Sequence, residues 1–270
     1  MPQEAWQLTG SGPDSYERYQ VPSVFAPLAR LFLKRVPLAP GQRVLDVACG
    51  TGIVARQVAP VLGSTGSIVG IELNAAMLDV ARQHAPGDGA PVEWRQGDAG
   101  SLPCRDAEFD IVLCQQGLQF FPDRPAALRE MHRVLKPEGV VGICVWRSIE
   151  HSPCHLAIAE ALRRHVGTDI AQRFRAPFSF GDESFLNRLL ADAGYRDVAI
   201  ETETVARRLL PPEESVPGLL ASTPVGPAVA ALDEVAREAI IDEVARALSH
   251  YRDEYGLTVP QPTYIALARK

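Results

Sequence analysis

An open α/β sheet, mostly parallel and with helices on both faces, is the architecture this sequence predicts, and three observations predict it. The first is Val44-Leu45-Asp46-Val47, a β-branched and aliphatic run that enters Ala48-Cys49-Gly50-Thr51-Gly52, after which helical spacing returns at Val54, Val58 and Val61/Leu62. The second is the alternation of strand-like runs at 43–48, 67–72, 92–96, 109–114 and 139–146 with helical patterns near 52–62, 74–85 and 124–136. Alternation of this kind implies right-handed crossovers and parallel pairing. The third is Glu72, which ends the second strand 22 positions after Gly50, the place of the acidic residue in glycine-rich nucleotide-binding sheets.

Residues 1–15, rich in Gly, Ser and Pro, read as a polar, loosely held arm. Tyr16 to Val36 have helical spacing at Val24, Leu28, Leu31 and Phe32, with Pro22 and Pro27 expected to break the segment into pieces. Residues 1–42 therefore form an N-terminal helical flap ahead of a core at 43–146. Within that core Asp123 caps the helix bearing Leu128, Met131, Val134 and Leu135, and Pro137 with Gly139 stops it. Ser152-Pro153 read as the N-cap and first position of a helix running to about Val166. Asp182 caps another, with Phe185, Leu186, Leu189 and Leu190 inward and Gly194 ending it. Residues 147–205 complete the core with a strand at 198–205. Residues 206–256, which include an amphipathic helix near 232–248, read as a helical lid, and 257–270 as the last strand, centred on 263–268.

At 270 residues the chain is long enough for one domain with a large core. A hydrophobic content of 46% and a net charge of −6 fit a soluble protein and argue against nucleic acid as partner, since no basic stripe is present. The five cysteines are odd in number and contain no C-x-x-C pair, which favours reduced thiols and a cytoplasmic setting. Met1-Pro2-Gln3-Glu4 begins no signal peptide, and no apolar run approaches the roughly 20 residues that span a bilayer. The partner expected is a small-molecule substrate, with a homodimer as the assembly the composition allows.

The glycine turn carries the chemistry. Gly50 and Gly52 allow positive φ and close approach of backbone to ligand. Gly50-Thr51-Gly52-Ile53-Val54-Ala55 satisfies the G-x-G-x-x-G/A pattern of dinucleotide binders. Asp46 argues against that reading, because a pyrophosphate on this turn would be repelled by a buried carboxylate, whereas an ammonium or sulfonium would be attracted. A positively charged nucleoside without phosphates satisfies both features, and S-adenosylmethionine is such a molecule. Glu72 accepts from ribose hydroxyls in this reading, and Gly97-Asp98-Ala99, beyond the third strand, offers a carboxylate to the adenine amino group and a backbone N–H to a ring nitrogen. The fourth strand, Phe109 to Cys114, runs into Gln115-Gln116-Gly117, where open sheets hold reacting groups.

The stretch from about Arg43 to Trp146 resembles the core of the class I S-adenosylmethionine-dependent methyltransferases, especially the ubiquinone/menaquinone-biosynthesis-type group. The resemblance rests on Val44 to Gly52, Glu72, Asp98, Leu102-Pro103, Phe109-Asp110-Ile111-Val112 and Arg133-Val134-Leu135-Lys136-Pro137-Glu138-Gly139, in that order. Leu189 to Tyr195 resembles the family's element before the sixth strand. It implies a Rossmann-like, seven-stranded, mostly parallel sheet with the last strand antiparallel. It also implies a cofactor site at Asp46, Ala48, Cys49, Gly50, Gly52, Glu72, Leu73, Met77, Gly97, Asp98, Ala99 and Gln115, with Tyr16 and Tyr19 resembling an aromatic flap and Tyr19 taken as the cofactor contact.

A methyltransferase moving a methyl group to a small-molecule acceptor by in-line displacement is the function this implies, with a hydroxyl oxygen as the plainest acceptor. The electrophile is already activated, so positioning can supply roughly 7–11 kcal/mol and a base adds only about 10²–10⁴-fold. The sequence names no such base. His151 and His155, which follow the fifth strand at the pocket rim, are the best-placed titratable candidates, with His151 taken as the base, while His132 reads as structural or solvated. His151, Cys154 and His155 have metal-like spacing, but a capped, exposed helix start explains them as well, and no metal is expected. Phe120, Phe121 and Trp146 either shape an apolar pocket or pack the core. Two alternatives stand beside this reading. One is a methyltransferase-like protein that binds the cofactor without methyl transfer, as a cyclase or regulatory module. The other is an NAD-dependent oxidoreductase, for which no lysine among Lys34, Lys136 and Lys270 sits in a proton-donor motif.

Overall fold

The computed structural model describes residues 7–178 and 180–270. The arm expected at 1–15 falls partly outside them, as do the four residues read for a leader sequence. From the N-terminus, α1 (Gly12–Ser15), a π-helical run (Tyr16–Phe25) and α2 (Ala26–Leu33) follow one another without a break. Pro22 and Pro27 do not divide the segment as the sequence suggested. Pro27 occupies the first turn of α2, and Pro22 lies in the π-helical run, where the Ala26 N–H reaches back to the Val21 carbonyl. The wider turn accommodates a residue with no N–H to give.

The chain then alternates β1 (Arg43–Val47), α3 (Ile53–Leu62), β2 (Ser67–Glu72), α4 (Ala75–Gln83), β3 (Val92–Gln96), β4 (Phe109–Gln115), α5 (Arg124–Val134) and β5 (Leu135–Trp146). Asn74 caps α4 through the Ala76 N–H, and Asp123 caps α5 through the Ala126 N–H. The helical segment α6 (Pro153–His165), α7 (Thr168–Arg175) and α8 (Glu183–Asp192) leads to β6 (Arg196–Leu209). The insertion carries α9 (Pro212–Ala221), α10 (Gly226–Ala230) and α11 (Glu234–Ala247), before β7 (Arg252–Asp253) and β8 (Gly256–Arg269). Ser152 does not cap α6 with its side chain. Its hydroxyl instead accepts from Gln261 Nε2 of β8 at 3.0 Å.

The sheet has the order β3-β2-β1-β4-β5-β8-β6, with two-residue β7 paired to β8, so eight strands stand where seven were expected. β1 to β5 pair in parallel, and β8 runs antiparallel to both β5 and β6. β6 and β8 are much longer than their apolar runs of 198–205 and 263–268. They pair continuously from Ala199↔Leu267 to Leu209↔Leu257, which shortens the helical insertion. β6 alternates exposed and buried residues through Val205, Arg207 and Leu209, the strand pattern of a sheet edge with one covered face. Two buried clusters cover the two faces of the sheet. Leu28, Val58, Leu113 and Ile158 belong to one, and Leu45, Val112, Leu128 and Leu190 to the other. No helix of the described residues is long and apolar enough to cross a membrane.

Candidate functional site

The chain order reverses between β1 and β4, and the loops leaving the C-terminal ends of β1, β2, β3 and β4 meet there. Two strained backbone positions lie at the same place. Ala48 after β1 and Gln116 after β4 are non-glycine residues with φ of 55° and 57°. Gly52 has φ 85°, and a Cβ on it would lie 2.4 Å from the Trp94 ring, so glycine is required by both conformation and space. Above these loops lies a cavity of about 260 Å³.

One end of the cavity is acidic. Glu72 Oε2 accepts from the Gly50 N–H and Oε1 from the Asn74 N–H, each at 3.0 Å, which ties the end of β2 to the glycine turn. Burial pushes its carboxyl above the ordinary range, against those backbone donors. Asp46 is 1% exposed and its Oδ2 has no protein partner. Burial raises its pKa to about 8, the Ala55 N–H in the first turn of α3 opposes the rise, and the Glu72 charge adds to it. Ile71, Leu73, Met77 and Ala99 form an apolar slot beside Glu72. The Asn74 side chain donates to the Leu8 carbonyl at 2.8 Å, so the N-terminal arm closes this end. An unsatisfied buried carboxylate, a second carboxylate at a strand end and an apolar slot suit a nucleoside bearing positive charge.

The other end is aromatic and basic. Tyr16 stacks on Phe25 at 5.0 Å, Phe25 meets Trp146 at 6.1 Å, and Trp146 stacks on Phe178 at 6.2 Å. His155 stands 4.7 Å from Phe178 and 5.9 Å from Phe174, with Nε2 3.3 Å from Arg207 Nη1. Burial, then the Arg207 charge, hold its imidazole well below the ordinary pKa, so it is neutral. Arg207 is fully buried, and its Nη2 donates to Gln20 Oε1 at 2.7 Å.

Of the residues expected at the cofactor, Ala48, Gly50, Glu72, Leu73, Met77, Gly97, Ala99 and Gln115 line the cavity. Asp46, in β1, and Cys49 and Gly52, in the turn, do not line it. Asp98 departs from expectation. It is exposed and folds its carboxylate onto the Gly100 N–H at 2.8 Å, leaving Gly97 and Ala99 to face the cavity. Of the two flap tyrosines, Tyr19 does not line the cavity, its ring lying against Gly218 of α9, and Tyr16 does. Burial and the carboxylates of Glu72, Glu17 and Asp46 raise the Tyr16 pKa, which keeps its phenol protonated as a donor.

Of the two histidines expected at the pocket rim, His151 is exposed, with Nε2 3.1 Å from Arg147 Nη2, and His155, one helical turn on, lines the cavity. Phe120, Phe121 and Trp146 line the cavity too. The residues missed entirely are Gln20, Ser222 and Arg207. The available signal was Arg207 itself, a charged residue at the inward register between Val205 and Leu209.

A methyltransferase-domain family model matches residues 45–143. Demethylmenaquinone methyltransferase of Lactobacillus johnsonii is 40% identical over 114 residues, covering 42% of this chain and 47% of that protein. The chain thus spans about half the length of that relative. Demethylmenaquinone methyltransferase of Staphylococcus saprophyticus is 30% identical over 183 residues, covering 64% of this chain and 78% of that one. Among solved structures, an S-adenosylmethionine-dependent methyltransferase from Thermotoga maritima superposes with a TM-score of 0.56 at 20% identity, over 95% of this chain and 96% of that one, and shares the fold. The ordered motifs, the sheet and these relatives together make the chain a member of the class I S-adenosylmethionine-dependent methyltransferases, in the ubiquinone/menaquinone-biosynthesis-type group.

Proposed function

We propose that the protein transfers a methyl group from S-adenosylmethionine to a hydroxylated, largely apolar aromatic small molecule related to the demethylmenaquinone for which its relatives are named. The observation that carries the reading is the pair of carboxylates at the glycine turn where the strand order reverses: Asp46, buried with its Oδ2 unpartnered, and Glu72, half-buried at the end of β2 and accepting from the Gly50 N–H. S-adenosylmethionine supplies a methyl group on a positively charged sulfur, open to in-line displacement by a nucleophile. Glu72 holds the ribose hydroxyls, the slot of Ile71, Leu73, Met77 and Ala99 holds the adenine, and the backbone of Ala48 to Gly50 and Asp46 hold the charged end. Tyr16, Phe25 and Trp146 form the wall against which the acceptor ring packs, and the helices between β6 and β8 serve as a lid that excludes water.

Positioning is the principal catalytic device in this reading. The lone pair of His155 Nε2 faces the Arg207 guanidinium, so His155 orients that cation and takes no proton from the acceptor. The acceptor atom is read as a hydroxyl oxygen. Incubation with methyl-labelled cofactor and 1,4-naphthalenediol tests this, with product structure read by NMR. A methyl ether is expected. A methyl group on a ring carbon would overturn the oxygen assignment, and bound cofactor with no transfer to any hydroxylated aromatic would overturn the activity.

A further inference from the structure

Arg207 is a guanidinium buried completely and without a counter-ion. It is 0% exposed, lines the cavity, and among the described residues no carboxylate pairs with it. Its hydrogen-bond partners are all neutral: Gln20 Oε1 at 2.7 Å, Ser23 Oγ at 3.3 Å and His155 Nε2 at 3.3 Å. Its Nε has no partner. Gln20 is fixed in turn by donating to Ser222 Oγ at 2.6 Å, and that hydroxyl donates to the Leu219 carbonyl at 2.6 Å. Four elements (the π-helical run, α6, β6 and α9) thus hold one cation rigidly at the aromatic end of the cavity.

Burying an unpaired cation is costly, and a chain that needed only to fill this position with a hydrophobic residue of similar volume would be at least as stable. Asp46 and Glu72, at the acidic end, form no ion pair with Arg207 and are assigned to the cofactor in the reading above. The missing charge must therefore arrive with something else. We propose that the acceptor carries an anionic oxygen, held by Arg207 as its counter-ion and by the aromatic wall through its ring. A guanidinium fork matches a planar oxyanion, and Gln20, Ser23 and His155 orient it without cancelling its charge. A ring carboxylate and an ionised ring hydroxyl share this chemistry. The inference rests on the methyl-transfer reading for the word acceptor, but the anion site stands on its own geometry.

The test is calorimetric titration of the full chain, with and without S-adenosylhomocysteine, using 2-naphthoate, its neutral amide 2-naphthamide, and 2-naphthol. The wild type is expected to bind naphthoate about 30-fold more tightly than the amide. Arg207→Met should abolish that preference while keeping S-adenosylhomocysteine affinity and melting at or above the wild-type temperature, which a merely structural arginine would not allow. Arg207→Lys should retain a weaker preference and keeps the question open to measurement should the methionine variant fold poorly. Naphthol bound at neutral pH with the absorption of naphtholate, its proton released to solvent, would support the site and assign the anion to a ring hydroxyl. Equal affinity for naphthoate and the amide with no naphtholate signal, or a preference that survives in Arg207→Met, would overturn the proposal. Failure of S-adenosylhomocysteine to bind the wild type would instead overturn the cofactor reading, separately from the anion preference.

Discussion

The two ends of the cavity are built in different ways. The acidic end comes from consecutive strand ends of one α/β unit, with Asp46, Gly50 and Glu72 all within 27 positions of each other and the Gly50 N–H donating to the Glu72 carboxylate. The basic end is assembled from distant segments. Gln20 meets Arg207 across 187 positions and Ser222 across 202. One end is local, glycine-dependent and fixed by strand topology, and the other depends on how a π-helical run, an edge strand and a helical insertion pack. The difference teaches that in this fold the end proposed for the cofactor follows from topology, while the end proposed for the acceptor follows from what the chain adds around it.

The comparison breaks most visibly at Glu72. Glu72→Ala removes the carboxylate that meets two backbone N–H groups and, in the proposed complex, the ribose, so S-adenosylhomocysteine affinity should fall about 100-fold. Titration of the variant checks this, and 2-naphthoate binding at the other end should be unchanged. Gly52→Ala comes next. Its Cβ would meet the Trp94 ring at 2.4 Å in a left-handed backbone, so a loss of about 1–3 kcal/mol in thermal or denaturant unfolding is expected. Adding Trp94→Ala should recover the steric part but not the backbone part, as a double-mutant cycle would show.

Asp46 supplies a pH signature. Its pKa is about 8 in the unliganded fold against an ordinary 3.8, so the folded chain holds a proton that the unfolded chain has lost between those values. The group's contribution to stability is therefore full below about pH 4, declines as pH rises, and is gone by about pH 8. Asp46→Asn should flatten that part of the unfolding profile. S-adenosylmethionine, a cation, should bind more tightly as pH rises through 8, with S-adenosylhomocysteine responding less. The smallest effect belongs to His151→Ala. An exposed side chain outside the cavity should leave cofactor affinity and turnover within about 2-fold of wild type.

What the sequence made legible divides along the same line. β1, its glycine turn and Glu72 could be read because hydrophobic period, turn glycines and a fixed spacing are local signals. The long pairing of β6 with β8 could not, since Thr258, Gln261 and Arg208 interrupt the apolar pattern while the backbone ladder continues past them. Which of Tyr16 and Tyr19 faces the cavity is not legible in the sequence, because a π-helical run does not keep the phase of a regular helix. Position after β5 brings both His151 and His155 to the rim of the sheet but does not reveal which side of the turn faces inward. Asp98 shows the limit of a short motif, as its carboxylate closes its own turn in preference to facing the slot. Arg207 was overlooked because its meaning lies in the absence of a carboxylate around it, a property of the packed molecule.

The central claim is that the acidic end is a site for a cationic nucleoside without phosphates. Parallel calorimetric titration of the full chain with S-adenosylmethionine, S-adenosylhomocysteine and NAD tests it most directly. The account predicts binding of both sulfur nucleosides, loss of both in Glu72→Ala, and no heat from NAD. Binding of NAD in their place would contradict it.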